Sequence, residues 1–176
     1  MFVYDEDKVR RCYERNLAKA KEALKPISSV PETQPNFTGL SGRVFEQTIH
    51  ACILDELDAL HIKADVRQQV PLKGRVKADL AVGTVAAVEL KAKGLFSKGD
   101  AAKYSARGQQ AEAVGFCYLY LTLGETYSPY RDGVTSSLGA DNVFFLDTEG
   151  DWERFVNRIL DLLANVDSQS RGVSKQ

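Results

Sequence analysis

The sequence predicts an α/β protein in which helices cover both faces of a mixed central sheet. Three observations favour this fold class. Apolar residues recur at helical spacing over Phe45–Leu60, alternate with polar residues over Val76–Lys91, and form one continuous run over Phe116–Leu123. Alternation is typical of a half-buried strand, whereas a continuous run is typical of a strand covered on both faces. We therefore expect a buried central strand next to a hairpin, with helices packed on the sheet.

The elements follow in the order helix, strand, strand, strand, helix, strand, and then a further strand and helix. An additional N-terminal helix and a proline-rich linker precede this series, so we divide the chain into a helical arm (1–38), an α/β core (39–166) and a disordered tail (167–176). The predicted elements are helices at 5–25, Ser41–Leu60, Asp100–Val114 and 150–164, strands at 65–71, 76–82, 86–91, 116–123 and 142–146, and a long loop at 124–141.

The hairpin at 76–91 has a register that the sequence can predict. A two-residue turn at Gly83-Thr84 would mix apolar and polar side chains on each face. A three-residue turn over 83–85 pairs Val82 with Ala86 and keeps both faces uniform. The same register places Asp79 opposite Glu89, with their Cβ atoms about 5 Å apart.

Two adjacent carboxylates repel each other unless a cation neutralises them. Lys91 lies on the same face of the hairpin, about 7 Å along the strand from Glu89. Mg²⁺ is bound by one or two carboxylates and keeps several waters, and a nearby lysine can hold such a water. Asp79, Glu89 and Lys91 are therefore candidate metal and catalytic residues. Glu46, in what the sequence predicts to be the first turn of the second helix, is a fourth candidate.

The composition is that of a globular protein, with a net charge of −1. The charge is unevenly distributed. Residues 73–107 carry eight Lys or Arg and three acids, a local charge of +5, which favours a phosphate-backbone ligand. Cys12, Cys52 and Cys117 lack metal or redox spacing, so we expect reduced thiols. No membrane span or signal peptide is indicated, and we expect a cytoplasmic protein.

The order of the elements, with Asp79 on the second strand and Glu89-x-Lys91 on the third, resembles the PD-(D/E)xK nuclease superfamily. The resemblance covers residues 41–147. Glu46 matches the acidic residue that many members carry on the first core helix, and Ala78 stands where the proline of the name would be. The resemblance implies a restriction endonuclease-like α/β/α core, with an αβββαβ series plus a further strand and helix.

The resemblance also implies an activity. Asp79, Glu89 and the Leu90 carbonyl would bind Mg²⁺, with Mn²⁺ as a substitute, and Glu46 would complete a second site or act through water. Lys91 would position the attacking water, and hydrolysis would leave a 5′-phosphate and a 3′-hydroxyl. We expect DNA as the substrate, with RNA less favoured, and a homodimer that cuts both strands. Candidate contacts to the phosphate backbone are Arg43, Lys73, Arg75, Lys77, Lys93, Lys98, Lys103 and Arg107.

Two alternatives remain at this stage. The first is a catalytically silent nuclease-fold module that binds nucleic acid or a partner protein. The second is an unrelated α/β domain, in which Asp79, Glu89 and Lys91 form an ion-pair cluster on a solvated strand face.

Overall fold

The structure is a computed structural model that describes residues 5–28, 37–74, 76–93, 98–124 and 127–172. Within these ranges the protein is a mixed α/β fold, as the sequence predicts. The helices are α1 (Glu6–Ser28), α2 (Phe37–Ala59), α3 (Lys98–Glu112), α4 (Ser128–Leu138) and α5 (Asp151–Gly172), and the strands are β1 (Val66–Pro71), β2 (Lys77–Val82), β3 (Ala86–Lys91), β4 (Cys117–Thr122) and β5 (Val143–Phe145). No helix in these ranges is long and apolar enough to cross a membrane.

The five strands form one sheet in chain order, from β1 to β5. β1, β2 and β3 are antiparallel neighbours, and β3, β4 and β5 are parallel neighbours. The predicted hairpin register is confirmed, because Val82 pairs with Ala86 and Leu80 pairs with Val88. The carboxyl ends of the three parallel strands therefore lie at one edge of the sheet, with Lys91 at the end of β3.

Helices cover both faces of the sheet. The main core lies between the sheet and α1, α2 and α5, where Phe45, Leu119 and Trp152 are fully buried in one apolar cluster. On the opposite face, α3 and α4 pack on β4 and β5 through smaller clusters that contain Tyr104 and Tyr118. The second face has fewer aliphatic side chains and more tyrosine, so it offers hydroxyl groups that can hydrogen-bond to buried polar side chains.

The N-terminal arm is part of the main core. Val9 and Tyr13 of α1 are buried in it, and the Tyr13 ring meets Phe45 of α2 edge-on at 5.5 Å between centroids. α1 extends to Ser28, three residues beyond the predicted end at 25. α2 begins at Phe37, inside the linker predicted over residues 26–38. The remainder of that linker, residues 29–36, lies outside the described residues.

The predicted start of the second helix at Ser41 is wrong by one turn. Leu40 packs on the main core and extends the apolar stripe of α2 towards its N-terminus. As a consequence, Glu46 lies well inside the helix, and the favourable first-turn position expected for it is absent. Ala78 of β2 is buried, and it packs with the α3-side residues Ala87 and Tyr118.

The predicted loop at 124–141 contains α4. This helix was missed because Ser, Thr and Gly dominate it and only Val134 is fully buried, so it has little hydrophobic periodicity. Pro129 lies in its first turn, where proline is compatible with a helix. α5 continues to Gly172, through most of the stretch for which the sequence predicts a disordered tail, and no proline or glycine interrupts the chain before that residue.

Candidate functional site

The regular pairing of β2 with its two neighbours, β1 and β3, is interrupted at Asp79. The β2–β3 pairs end at Leu80 and Val88, and the β1–β2 pairs omit Gln69, the residue that would face Asp79. Gln69 has a φ of 52°, in the left-handed region that few residues other than glycine adopt. The Asp79 carboxylate takes over part of the lost pairing, since its Oδ2 accepts a hydrogen bond from the Leu90 N–H at 2.8 Å. Regular β2–β3 pairing therefore stops at Leu80, which leaves a gap in the ladder of residue pairs at Asp79.

Glu89 lies on β3 next to this gap and is completely buried. Its Oε1 accepts hydrogen bonds from Lys91 Nζ at 3.1 Å and from the Arg107 guanidinium of α3. Its Oε2 accepts a hydrogen bond from the Tyr118 hydroxyl of β4 at 3.3 Å. A buried carboxylate is tolerated only when it is paired and hydrogen-bonded. Glu89 thus has two cationic partners and one neutral donor.

The partners of Glu89 have protonation states that suit this arrangement. Burial lowers the pKa of Lys91, but the charge of Glu89 and the smaller effects of Tyr104, of the hydrogen bond to Glu89 and of Asp79 together outweigh burial, so the pKa of Lys91 is raised. Burial and then the Glu89 charge raise the pKa of Tyr118. Lys91 is therefore a stable ammonium group near neutral pH, and Tyr118 is a neutral phenol that donates its proton to Glu89. In this state Lys91 acts as a fixed positive charge.

Asp79 differs from Glu89 because no cation contacts it directly within the described residues. Desolvation, followed by the negative charge of Glu89, raises the pKa of Asp79 to about 7. The Leu90 N–H opposes this rise, and the charge of Glu46 adds to it. Glu46 lies on the adjacent face of α2, where its Oε2 accepts a hydrogen bond from Gln69 Nε2 at 3.2 Å. The charges of both other predicted carboxylates therefore act on Asp79.

Lys91 and two of the predicted phosphate-contact residues cluster around one aromatic ring. Tyr104 of α3 is buried, and its ring centroid lies 5.3 Å from Lys91 Nζ, 5.5 Å from Lys103 Nζ and 5.6 Å from Arg107 Cζ. Cations at this range are attracted to the negative face of the ring. Lys103 is exposed to solvent, whereas Arg107, expected to contact a phosphate backbone, instead pairs with Glu89.

The other basic candidates whose side chains are described are all exposed: Arg43 on α2, Lys73 between β1 and β2, Lys77 at the start of β2, and Lys93 after β3. The strand register places Lys73, Lys77 and Lys93 at one end of the sheet, where β1 and β3 end and β2 begins. Arg75 and the side chain of Lys98 lie outside the described residues.

The structure overturns the interpretation of this cluster as a solvated strand face, because Glu89 is buried and Asp79 and Lys91 are partly buried. It also adds residues that sequence reasoning missed. Tyr118 and Tyr104 belong to the site, yet in the sequence Tyr118 is one apolar residue of a buried strand. The strained backbone of Gln69 could not be predicted, since nothing in the sequence of residues 65–71 indicates a left-handed conformation.

The donor set suits a divalent cation held by two carboxylates. Within the described residues, no group of three or more His, Cys, Asp or Glu side chains is placed to hold a metal ion. Mg²⁺, however, requires only one or two carboxylates and fills the remaining positions with water. Asp79 and Glu89 supply such a pair. The raised pKa of Asp79 reflects first its burial and then the neighbouring Glu89 charge, and a bound cation would offset that charge.

Comparisons with known proteins do not assign this site. No family model matches the chain, and neither the curated proteins nor the solved structures give a significant match.

The raised pKa of Asp79 predicts a pH-dependent stability in metal-free buffer. The folded protein holds this proton up to about pH 7, whereas an unfolded aspartate releases it near pH 4. Folding therefore takes up a proton between these values, and Asp79 lowers stability by about 1.4 kcal/mol for each unit that the pH rises through that window. The Asp79→Asn variant lacks this penalty. Urea unfolding should show its stability rising relative to wild type from pH 5 to pH 8.

Asp58→Asn, which removes an exposed charge from α2, is the matched control and should show no such trend. If the difference between Asp79→Asn and wild type is the same at both pH values, Asp79 is already ionised at pH 5 and its described environment is wrong.

The burial of Glu89 predicts a structural role for Arg107. Arg107→Gln leaves the carboxylate with only Lys91 and Tyr118, and it should lower the free energy of unfolding by about 3 kcal/mol in metal-free buffer. Arg67→Gln removes an exposed guanidinium that lies 3.1 Å from Asp65, so its effect should stay below about 1 kcal/mol. Equal effects of the two variants in urea unfolding would mean that Glu89 does not depend on Arg107.

Proposed function

We propose that this protein is a Mg²⁺-dependent DNA endonuclease with a restriction endonuclease-like fold. The observation that carries the proposal is the buried Glu89 carboxylate, which lies beside Lys91 and next to the half-buried Asp79. Burying these charges costs free energy that apolar side chains would not. Strained backbone, as at Gln69, and shifted pKa values are both enriched at functional sites.

The residues of the site have separable roles in this proposal. Asp79 and Glu89, with the Leu90 carbonyl, would hold the metal, and Glu46 would act beside them. Mg²⁺ would polarise the phosphodiester and lower the pKa of a bound water. Lys91, which is charged, would orient the attacking water and stabilise the negative charge that develops on the phosphate. Arg107 and Tyr118 would act as positioning residues, because they contact Glu89 and set the direction of its carboxylate.

The distribution of positive charge supports a nucleic acid as the substrate. Lys91 and Lys103 lie together near Tyr104, on the face that carries α3, and the chain from 73 to 107 has an excess of positive charge. Phosphate contacts of this kind position a nucleic acid without reading its sequence. DNA is the proposed substrate and RNA the less favoured one, and a homodimer would allow both strands to be cut.

The second candidate is a nuclease-like module that binds nucleic acid or a protein but does not cleave. The pairing of Glu89 with both Lys91 and Arg107 favours it, because a carboxylate already neutralised by two cations gains less from a metal. The two candidates differ in one result, since only the nuclease converts its substrate to product.

Incubation with supercoiled plasmid, linear genomic DNA and a four-way junction, in Mg²⁺, Mn²⁺ or EDTA, tests the proposal. We expect cleavage with either metal and none with EDTA. Lys91→Ala should reduce the rate at least about 100-fold, because the site loses its charge next to the phosphate. Lys63→Ala, which removes an exposed lysine between α2 and β1, is the control and should cut like wild type.

Gel analysis of the products measures the rate, and circular dichroism verifies that each variant is folded. Binding of DNA without cleavage in any metal would favour the silent module. Cleavage that persists in EDTA, or in Lys91→Ala, would remove this site from the reaction.

A further inference from the structure

A pair of tyrosines marks the surface next to the proposed site. Tyr127 is 66% exposed, and it is the only exposed aromatic residue among those whose side chains the structure describes. Its ring meets Tyr130 in a T-shaped contact with 5.3 Å between centroids. Tyr130 is the one described aromatic ring that contacts it, and about two thirds of the Tyr127 surface is accessible to solvent.

Contacts connect this pair with the cationic group around Tyr104. Tyr130 packs against the cluster that contains Tyr104 and Tyr120. β4, the strand that precedes Tyr127, also ends beside Lys91, since the Leu123 N–H donates to the Lys91 carbonyl at 3.0 Å. The exposed ring and the cations therefore lie at the same edge of the sheet, at the carboxyl ends of the parallel strands. This edge is where open α/β sheets commonly bind ligands.

The backbone around Tyr127 is well fixed. The Tyr127 carbonyl accepts hydrogen bonds from the N–H groups of Tyr130 at 2.8 Å and Arg131 at 3.2 Å, which anchor it to the first turn of α4. Arg131 in turn forms an ion pair with Asp147 and lies 4.2 Å above the Phe145 ring. The ring is thus presented on an ordered helix end, and little conformational freedom would be lost when a ligand stacks on it.

We propose that Tyr127, supported by Tyr130, is a stacking platform for an unpaired base of a nucleic acid whose phosphates contact Lys91 and Lys103. This inference rests on the proposed function and names its substrate class: strands that carry unpaired nucleotides. Single-stranded nucleic acid is bound by aromatic rings that stack on bases, combined with a positive groove along the backbone. Within a duplex both faces of each base are already stacked, so an exposed ring of this kind favours unpaired bases.

Fluorescence anisotropy in EDTA, where no cleavage is expected, tests the platform by binding alone. The probes are a labelled thymidine oligonucleotide, a uridine oligonucleotide of equal length, and a blunt duplex. Tyr127→Ala should weaken binding of the thymidine strand about tenfold, in line with the loss of one stacked base, and leave the duplex unchanged. Tyr127→Trp should restore it. Leu54→Ala, which removes another exposed apolar side chain on α2, should have no effect.

An equal loss with the uridine strand would mean that the platform accepts either backbone, whereas a loss confined to thymidine would assign it to DNA. No loss in Tyr127→Ala, an equal loss for the duplex, or no binding of any probe by wild type would overturn the proposal. Metal-dependent cleavage of a single-stranded oligonucleotide that requires Lys91 and is indifferent to Tyr127 would overturn the platform and leave the nuclease proposal standing.

Discussion

The burial of the Glu89 carboxylate is the constraint on which the rest of the site depends. A charge without solvent must be balanced, and three elements supply the balance: Lys91 from β3, Arg107 from α3 and Tyr118 from β4. These contacts fix α3 relative to the sheet. On its other side α3 packs on α4, and Gly108 permits their close approach, because a Cβ at that position would lie 2.8 Å from Leu138 Cδ2 of α4.

The environment of Asp79 is the opposite of that of Glu89. The strand of Asp79 loses regular pairing on both sides, and its neighbour Gln69 is strained. Burial, followed by the negative charges of Glu89 and Glu46, raises the pKa of Asp79, and no cation among the described residues contacts it directly. One half of the site is therefore neutralised by the protein itself, whereas the Asp79 half has no direct cation among the described residues. This asymmetry supports the proposed binding of an external cation.

The fold class and the hairpin register followed from local patterns, because only this register keeps the larger apolar side chains of β2 and β3 on one face of the hairpin. The contact between Glu89 and Lys91 was predictable for the same reason. The predicted pairing of Asp79 with Glu89 does not form, since the β2–β3 pairs stop at Leu80 and Asp79 contacts the Leu90 N–H instead. Arg107, Tyr104 and Tyr118 were not recognisable as partners of Glu89, since their contacts depend on how α3 packs on the sheet. α4 was not predictable either: its single fully buried residue, Val134, leaves no periodic pattern.

The central claim is that Asp79 and Glu89 together bind a divalent metal. Titration of the metal-free protein with Mn²⁺, followed by the electron paramagnetic resonance signal of the free ion, tests it most directly. Wild type should remove Mn²⁺ from solution with saturation, Asp79→Asn and Glu89→Gln should each weaken this binding at least about tenfold, and Asp58→Asn should bind like wild type. Absence of saturable binding, or equal binding by all four proteins, would contradict the account.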